Sequence, residues 1–544
     1  MKLNYKKKGA LVGLAILVFL STTAYKNDYF EIAKQLEIFS TLFKEINMSY
    51  VDETNPAGLM QEGIKHMLKS LDPYTTYLTE QEVETARINQ SEAYVGIGAT
   101  INLSDYKLII VEVFKGLPAD EVGLKAGDEI ISIDGNKVSD LGVASRQFLK
   151  GKKNSAVLLS FLRNGETKEV QVKRAGITPK AVPMAKLLDD GVGYIALDRF
   201  SKTASREVEN ALKLFIIDEA KGVVLDLRNN PGGLLQEAVK IVNLFVPKGQ
   251  LVVSTKSNIE SFNQNFVTRK QPLSLNIPLV VLINEKSASA SEIVAGALQD
   301  LDRAVIIGKR SFGKGLVQRP KSLPYGGQLK VTISRYYTPS GRCIQALDYK
   351  NRGKDGEASK YKESEYKAFK TKSGRTVYDG GGVTPDILLD SERKSEFIKN
   401  LIDSSLIFDF CNNYYHKNSV IDLYDFELNE NEFDRFKKIS FMHPVFLEDE
   451  STKEVDKLSA QIKKEGLRDL ESTLEELKKS INKSKARLIE QHKIEIITAL
   501  EGEIIRRFFY RKGLYSYYLS KSKEVEASQK LLYNTKSYLS ILNR

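Results

Sequence analysis

The chain has 544 residues, 42% of them apolar and 28% charged, and a formal net charge of +11. That length holds several domains, at roughly one per 150 residues, and that composition excludes a disordered chain. The basic residues are dispersed and no zinc-finger, helix-turn-helix or RNA-binding signature accompanies them, so a nucleic-acid partner is not expected.

In chain order, Lys2, Lys6, Lys7 and Lys8 precede an apolar run over 10–20 and then Ser-Thr-Thr-Ala24. This pattern predicts a signal peptide or signal anchor over 1–25, with the rest exported to the cell envelope, either periplasmic or anchored on the outer face of the cytoplasmic membrane. Residues 26–88 carry helical spacing (Leu36, Phe39, Phe43, Ile46; Met60, Ile64, Met67, Leu68) and end in LDPYTTYL, 71–78, which predicts a small helical segment.

Residues 89–175 contain Tyr94-Val-Gly96-Ile97-Gly98-Ala99, followed by Pro118-Ala119, Gly123-Leu124, 126–130 (AGDEI) and Ile133-Asp-Gly135. Taken together and in this order, the set resembles a PDZ domain. Tyr94, Gly96, Ile97 and Gly98 would then form its carboxylate loop, in which glycines let successive N–H groups converge on an anion. A peptide would add as a strand to the sheet edge.

Residues 176–395 alternate buried strands with helices: GVGYIAL at 191–197, a helix over 203–217, GVVLDL at 222–227, and PLVVLI at 278–283. That alternation predicts an α/β layered core. The last strand leads through Asn284-Glu-Lys286 into Ser287-Ala-Ser289-Ala290-Ser291 and a helix ending near Asp300. A strand, a sharp turn and a serine at a helix start lift a hydroxyl toward unpaired N–H groups, where an oxyanion is stabilised. The same serines could equally be helix caps. No histidine lies in this segment, since His66, His416, His443 and His492 are all elsewhere, so lysine is the remaining common base. SFGKGLVQ, 311–318, offers Lys314. Four scattered histidines and two cysteines, Cys343 and Cys411, form no metal spacing. No metal or cofactor is expected, and both cysteines are expected to be free thiols.

SASASEIVAGALQD with GKRSFGKGLVQ, together with LDPYTTYL, GYIALDRF (193–200), DLRNNPGG (226–233) and RYYTPSGR (335–342), resembles the carboxy-terminal processing peptidases, or tail-specific proteases. The likeness runs over roughly residues 60–390. It implies Ser289 as nucleophile, Lys314 as general base and Gln318 orienting the lysine. It also implies an oxyanion hole of Gly233 (Gly232 second) with Ala290. The implied fold is an α/β layered, crotonase/ClpP-like core, with a preceding PDZ domain and helical N- and C-terminal regions. The implied partners are proteins and peptides with exposed C-terminal tails, with room for an adaptor protein and a homo-oligomer. The alternative is an inactive PDZ-bearing scaffold on the same fold. Ser311-Phe-Gly-Lys314 also matches the S-x-x-K motif of penicillin-binding enzymes, but Gly313 and Gly315 make it a poor helix.

Residues 348–376, dense in Lys, Glu, Ser and Gly, predict a mobile insertion. Residues 396–544 lie largely outside the resemblance. Leu467, Leu470, Leu474, Leu477, Ile481 and Leu488 form a heptad stripe, which predicts an antiparallel helical hairpin. Phe508, Phe509, Tyr510, Tyr515, Tyr517 and Tyr518 follow as an aromatic cluster suited to core packing, with membrane-surface contact or a partner site as the alternatives.

Overall fold

The structure, a computed structural model, describes residues 29–83, 94–104, 107–353, 358–389, 395–418, 421–423 and 425–543. The expected export signal over 1–25 lies outside them. No helix among the described residues is long and apolar enough to cross a membrane. The chain divides into two compact units, Met1–Glu80 with Gln318–Thr332, and the remainder.

In the smaller unit a helix over 29–49 is followed by the helix Pro56–Lys69. Asn55 starts the second helix by accepting the Gly58 N–H at 3.0 Å, with Pro56 at the first position, where its missing N–H costs nothing. LDPYTTYL forms a turn around buried Asp72. One of its carboxylate oxygens accepts the N–H groups of Tyr74 and Thr75, and the other accepts the Thr75 hydroxyl, all at 2.8 Å. The strand Thr76–Leu78 then pairs antiparallel with residues 328–330.

The larger unit holds two sheets of consequence. In the first, Ala99–Ser104, Lys107–Val113, Glu129–Ile133, Ala156–Arg163 and Glu166–Lys173 pair antiparallel in that order, leaving Ala99–Ser104 at an edge. Their inward residues, among them Leu108, Ile110, Ile130 and Val157, form a separate core.

In the second sheet the order is Met184–Leu187, Val192–Ala196, Gly222–Asp226, Leu279–Ile283, Val305–Gly308 and Ile387–Leu388. Only the first pairing is antiparallel. The strands read as continuous apolar runs because both faces are covered. Ile195, Val223, Leu225, Val281 and Ile306 pack on one face against the helices Ala204–Ile217, Leu235–Asn243 and Ala290–Asp300. Tyr194, Val224, Val280, Leu282 and Ile307 pack on the other, against Val525, Leu531, Leu532 and Tyr538. The helices Lys523–Tyr533 and Thr535–Ile541 are therefore the third layer on this sheet. The sequence reading assigned them to a separate helical region.

Two further expectations change. Residues 348–376 carry the strand pairs Leu347–Arg352 with Ala358–Lys360 and Ala368–Lys370 with Thr376–Tyr378. Arg375 fastens this segment to the core by ion pairs with Asp302 at 2.6 Å and Asp386 at 2.5 Å. The hairpin exists as Glu450–Glu465 and Glu471–Gln491, reversed at left-handed Gly466. Its seam uses Val455, Ile462, Leu474 and Ile481, whereas Leu467, Leu470 and Leu477 of the stripe are exposed. Buried Lys485 occupies the end of the seam, with its ammonium on Asp449, Thr452 and the Phe446 carbonyl. Cys343 and Cys411 are free, and burial pushes the Cys411 thiol up to about 12.

Candidate active site

The strand Leu279–Ile283 delivers the chain to the SASAS turn. The outer two serines are buried and bound to the preceding strand's loop: Ser287 Oγ donates to the Leu227 carbonyl at 2.8 Å and Ser291 Oγ to the Asn230 carbonyl at 2.9 Å. Ser289 between them is only half-buried. It sits at the N-cap of Ala290–Asp300 with φ 56° and ψ −113°. A serine rarely adopts that conformation, which costs of order 1–3 kcal/mol and holds the residue on a sharp strand-to-helix turn. Helix geometry leaves the Ala290 N–H without an intrahelical acceptor directly beside it.

Glu292 joins this turn to the lysine segment. Fully buried, its carboxylate accepts the Ser289 N–H at 2.8 Å and the Lys314 N–H at 2.9 Å on one oxygen. The other oxygen accepts the Gly313 N–H at 2.7 Å and the Ser311 hydroxyl at 2.6 Å. Burial raises its pKa and these donors oppose the rise. The Tyr336 hydroxyl bridges the same two segments, contacting the carbonyls of Ser289 and Lys314. Two independent links thus hold the backbones of Ser289 and Lys314 together. Ser311 is buried, donates to Glu292 and accepts the Val383 N–H at 2.6 Å, in a stretch that is not helical.

The third piece is the DLRNNPGG turn. Buried Asn230 donates to the Leu197 carbonyl at 2.6 Å, accepts the Gly232 N–H at 2.8 Å, and through its own carbonyl takes the Ala288 N–H at 3.0 Å. The Gly232 N–H is therefore engaged. The Gly233 N–H has no hydrogen bond among the described residues, while the Gly233 backbone is held against Phe200. A Cβ on Gly232 would lie 2.7 Å from the Ala288 oxygen, 2.8 Å from Ser289 Cβ and 2.9 Å from Ala290 N, at φ +102°. We expect Gly232→Ala to lose about 2–4 kcal/mol in denaturant unfolding, from strain and overpacking together, and to lose cleavage as well. A neutral outcome would mean that the turn does not press on the serine.

Residues 191–351 match peptidase family S41, residues 95–173 a PDZ domain, and residues 397–532 the C-terminal helical domain of a probable PDZ-protease. The chain is 34% identical over 339 residues to the carboxy-terminal-processing protease of Bartonella bacilliformis, covering 61% of this chain and 78% of that one. It belongs to the carboxy-terminal-processing serine proteases. A second relative, the probable CtpA-like serine protease of Staphylococcus aureus, is 35% identical over 321 residues, covering 58% of this chain and 64% of that one. A solved photosystem II D1 C-terminal processing protease aligns at 25% identity over 66% of this chain and 93% of its own, with a TM-score of 0.37. The helical-domain match corrects the reading that left residues 396–544 largely outside the resemblance.

Set against the family's motifs, the structure gathers Ser289, Ala290, Gly232, Gly233 and the Lys314 backbone into one site. Gln318 lies in the smaller unit, where its amide donates to Thr332 Oγ1 at 3.3 Å. Thr332 is in turn bound to Thr75, and Thr75 to Asp72, so LDPYTTYL supports the glutamine. Of the PDZ residues, Tyr94 and Gly96 lie on the strand Tyr94–Gly96, and Ile97 and Gly98 lead directly into the edge strand Ala99–Ser104. Sequence reasoning missed Glu292, Asn230 and Tyr336. The first had a readable signal, the Ser289-x-x-Glu292 capping box. The other two are recognisable only once the strands are stacked. Arg342, also missed, is buried against Gln299 and Asp300 at the far end of the serine's helix.

Proposed function

We propose that the protein is an exported serine endopeptidase that uses Ser289 and Lys314 to cleave proteins near C-terminal tails captured by its PDZ domain. The observation that carries the reading is Ser289 at positive φ at the helix start, with the Ala290 N–H next to it, the Gly232 turn packed against it, and a tie through Glu292 to the Lys314 backbone. Neutral Lys314 takes the Oγ proton as Ser289 attacks the scissile carbonyl carbon. The oxyanion is received by the Ala290 and Gly233 N–H groups. The proton passes to the departing amine, and water then resolves the acyl-enzyme. Gln318 as the lysine's orienter, and export itself, rest on the sequence motifs. Labelling with a serine-reactive peptidyl phosphonate, followed by peptide mapping, tests the assignment. Label on Ser289 is the expected result. Label on Ser311 overturns the site, and no label returns the chain to a binding scaffold.

Tail capture is supported by the position of Gly96-Ile97-Gly98 at the head of an edge strand, where an added peptide strand would end. Amidating a substrate's C-terminus removes the anion, so apparent affinity is expected to fall about 10- to 100-fold, the worth of a charge-assisted hydrogen bond. Equal cleavage of free-acid and amidated peptides below saturation would mean that the terminal carboxylate is not read.

A further inference from the structure

A cavity of about 930 Å³ opens beside the Gly232–Gly233 turn, and all three parts of the larger unit line it. Its apolar wall is Pro231 and Leu234 from the core and Leu514 from the C-terminal helix Lys493–Lys521. Tyr94 of the PDZ carboxylate loop faces the same space. The charged lining is unbalanced: Arg199, Lys202, Arg506 and Arg511 against Asp198.

The carboxylates around the three arginines do not fully neutralise them. Arg511 spans the PDZ domain and the core, with Nε and Nη2 on Glu112 at 2.8 and 2.9 Å and Nη1 3.4 Å from Asp198. Asp198 also takes the Tyr515 hydroxyl. Arg506 shares the Glu503 carboxylate with Arg507, at 2.6 and 2.8 Å. Among the described residues, four guanidinium groups (Arg199, Arg506, Arg507 and Arg511) meet three carboxylates (Asp198, Glu112 and Glu503). Exposed Arg199 has no ion pair or hydrogen bond among the described residues. A partly enclosed space with apolar walls and surplus guanidinium charge strengthens attraction for an anion and disfavours a cation.

We propose that this cavity is a carboxylate-binding subsite of the substrate groove, built jointly by the core and the C-terminal helical domain, with Arg199 and Arg506 as its specificity-determining residues. It takes a glutamate or aspartate side chain close to the scissile bond, the aliphatic stem lying on Leu234 and Leu514. This rests on the peptidase reading, because the cavity adjoins the turn assigned to the oxyanion. The helical domain then selects substrates as well as covering a sheet.

A fluorogenic peptide library in which one position at a time is Glu or Gln tests the subsite with the intact protein. At one position near the cleaved bond, Glu is expected to raise kcat/KM about tenfold over Gln. The advantage should shrink with added salt, since the cavity is open to solvent. In Arg199→Ala and in Arg506→Gln the Glu-to-Gln ratio should collapse toward one. Arg199 is exposed, so its truncation leaves the fold intact. Running each pair as free acid and as amide separates the two carboxylate sources. A Glu preference that survives amidation belongs to the side chain. An advantage present only with a free terminus, and lost in Arg199→Ala, places the chain end in the cavity instead. Peptides cleaved equally with Glu and Gln at every position, by a protein that still labels on Ser289, overturn the subsite and leave the peptidase reading standing. Absence of both cleavage and label sinks the two together.

Discussion

Replacing Ser289 by alanine is expected to lower peptide cleavage at least about 10⁴-fold while changing unfolding free energy by no more than about 1 kcal/mol. The small stability effect follows from its position. Ser289 is half-buried at the N-cap, and the strained φ of 56° is imposed by the turn on whichever residue stands there. Glycine tolerates that conformation freely. Ser289→Gly should therefore be more stable than the parent by about 1 kcal/mol and equally inactive. The pair separates two accounts of the residue. If Ser289 were only a helix cap, both variants would retain cleavage. Chemical denaturation and steady-state hydrolysis of one fluorogenic peptide are sufficient measurements, and cleavage by either variant at the parent's rate removes the serine from the mechanism.

Lys314→Arg is expected to be as inactive as Lys314→Ala, each falling about 10²- to 10⁴-fold in kcat/KM, the usual worth of a general base. Arginine keeps the charge and approximate length but cannot release its proton at any working pH. A lysine needed only as a cation would be replaced successfully. The backbone around it should not respond, because the Lys314 N–H is held by Glu292 and its carbonyl by Tyr336 whatever the side chain. The rate of phosphonate labelling at Ser289 reports the same loss without requiring turnover. Substantial labelling in the arginine variant would return Lys314 to a structural role.

Much of this was legible in one sequence because the signals are local. A buried parallel strand is a continuous apolar run, and PLVVLI at 278–283 forms the strand Leu279–Ile283. The SASAS turn follows within a few residues, and the helix begins at Ala290. A glycine needed for positive φ, such as Gly232 or Gly98, is likewise a one-residue signal. The order of motifs carried the family.

Only the tertiary structure decided which of the three serines is accessible, because that depends on where Leu227 and Asn230 present their carbonyls, some sixty residues earlier in the chain. It placed Ser311 as a buried hydrogen-bond hub between Glu292 and the Val383 N–H. The heptad stripe predicted a hairpin but not its seam, since Gly466 sets the register in which Leu474 is buried and Leu477 is not. The C-terminal residues illustrate the limit most clearly. Nothing local distinguishes Val525, Leu531 and Leu532 from the apolar stripe of an independent bundle, yet they cover the second face of the catalytic sheet. Tyr515 likewise looked like core packing, and nothing in the sequence singled out Arg511. They converge on Asp198, which lines one cavity with the Gly232–Gly233 turn. Periodicity determines which face of an element is buried, whereas the partner of that face is a long-range choice made by the area and charge left uncovered after the rest of the chain has folded.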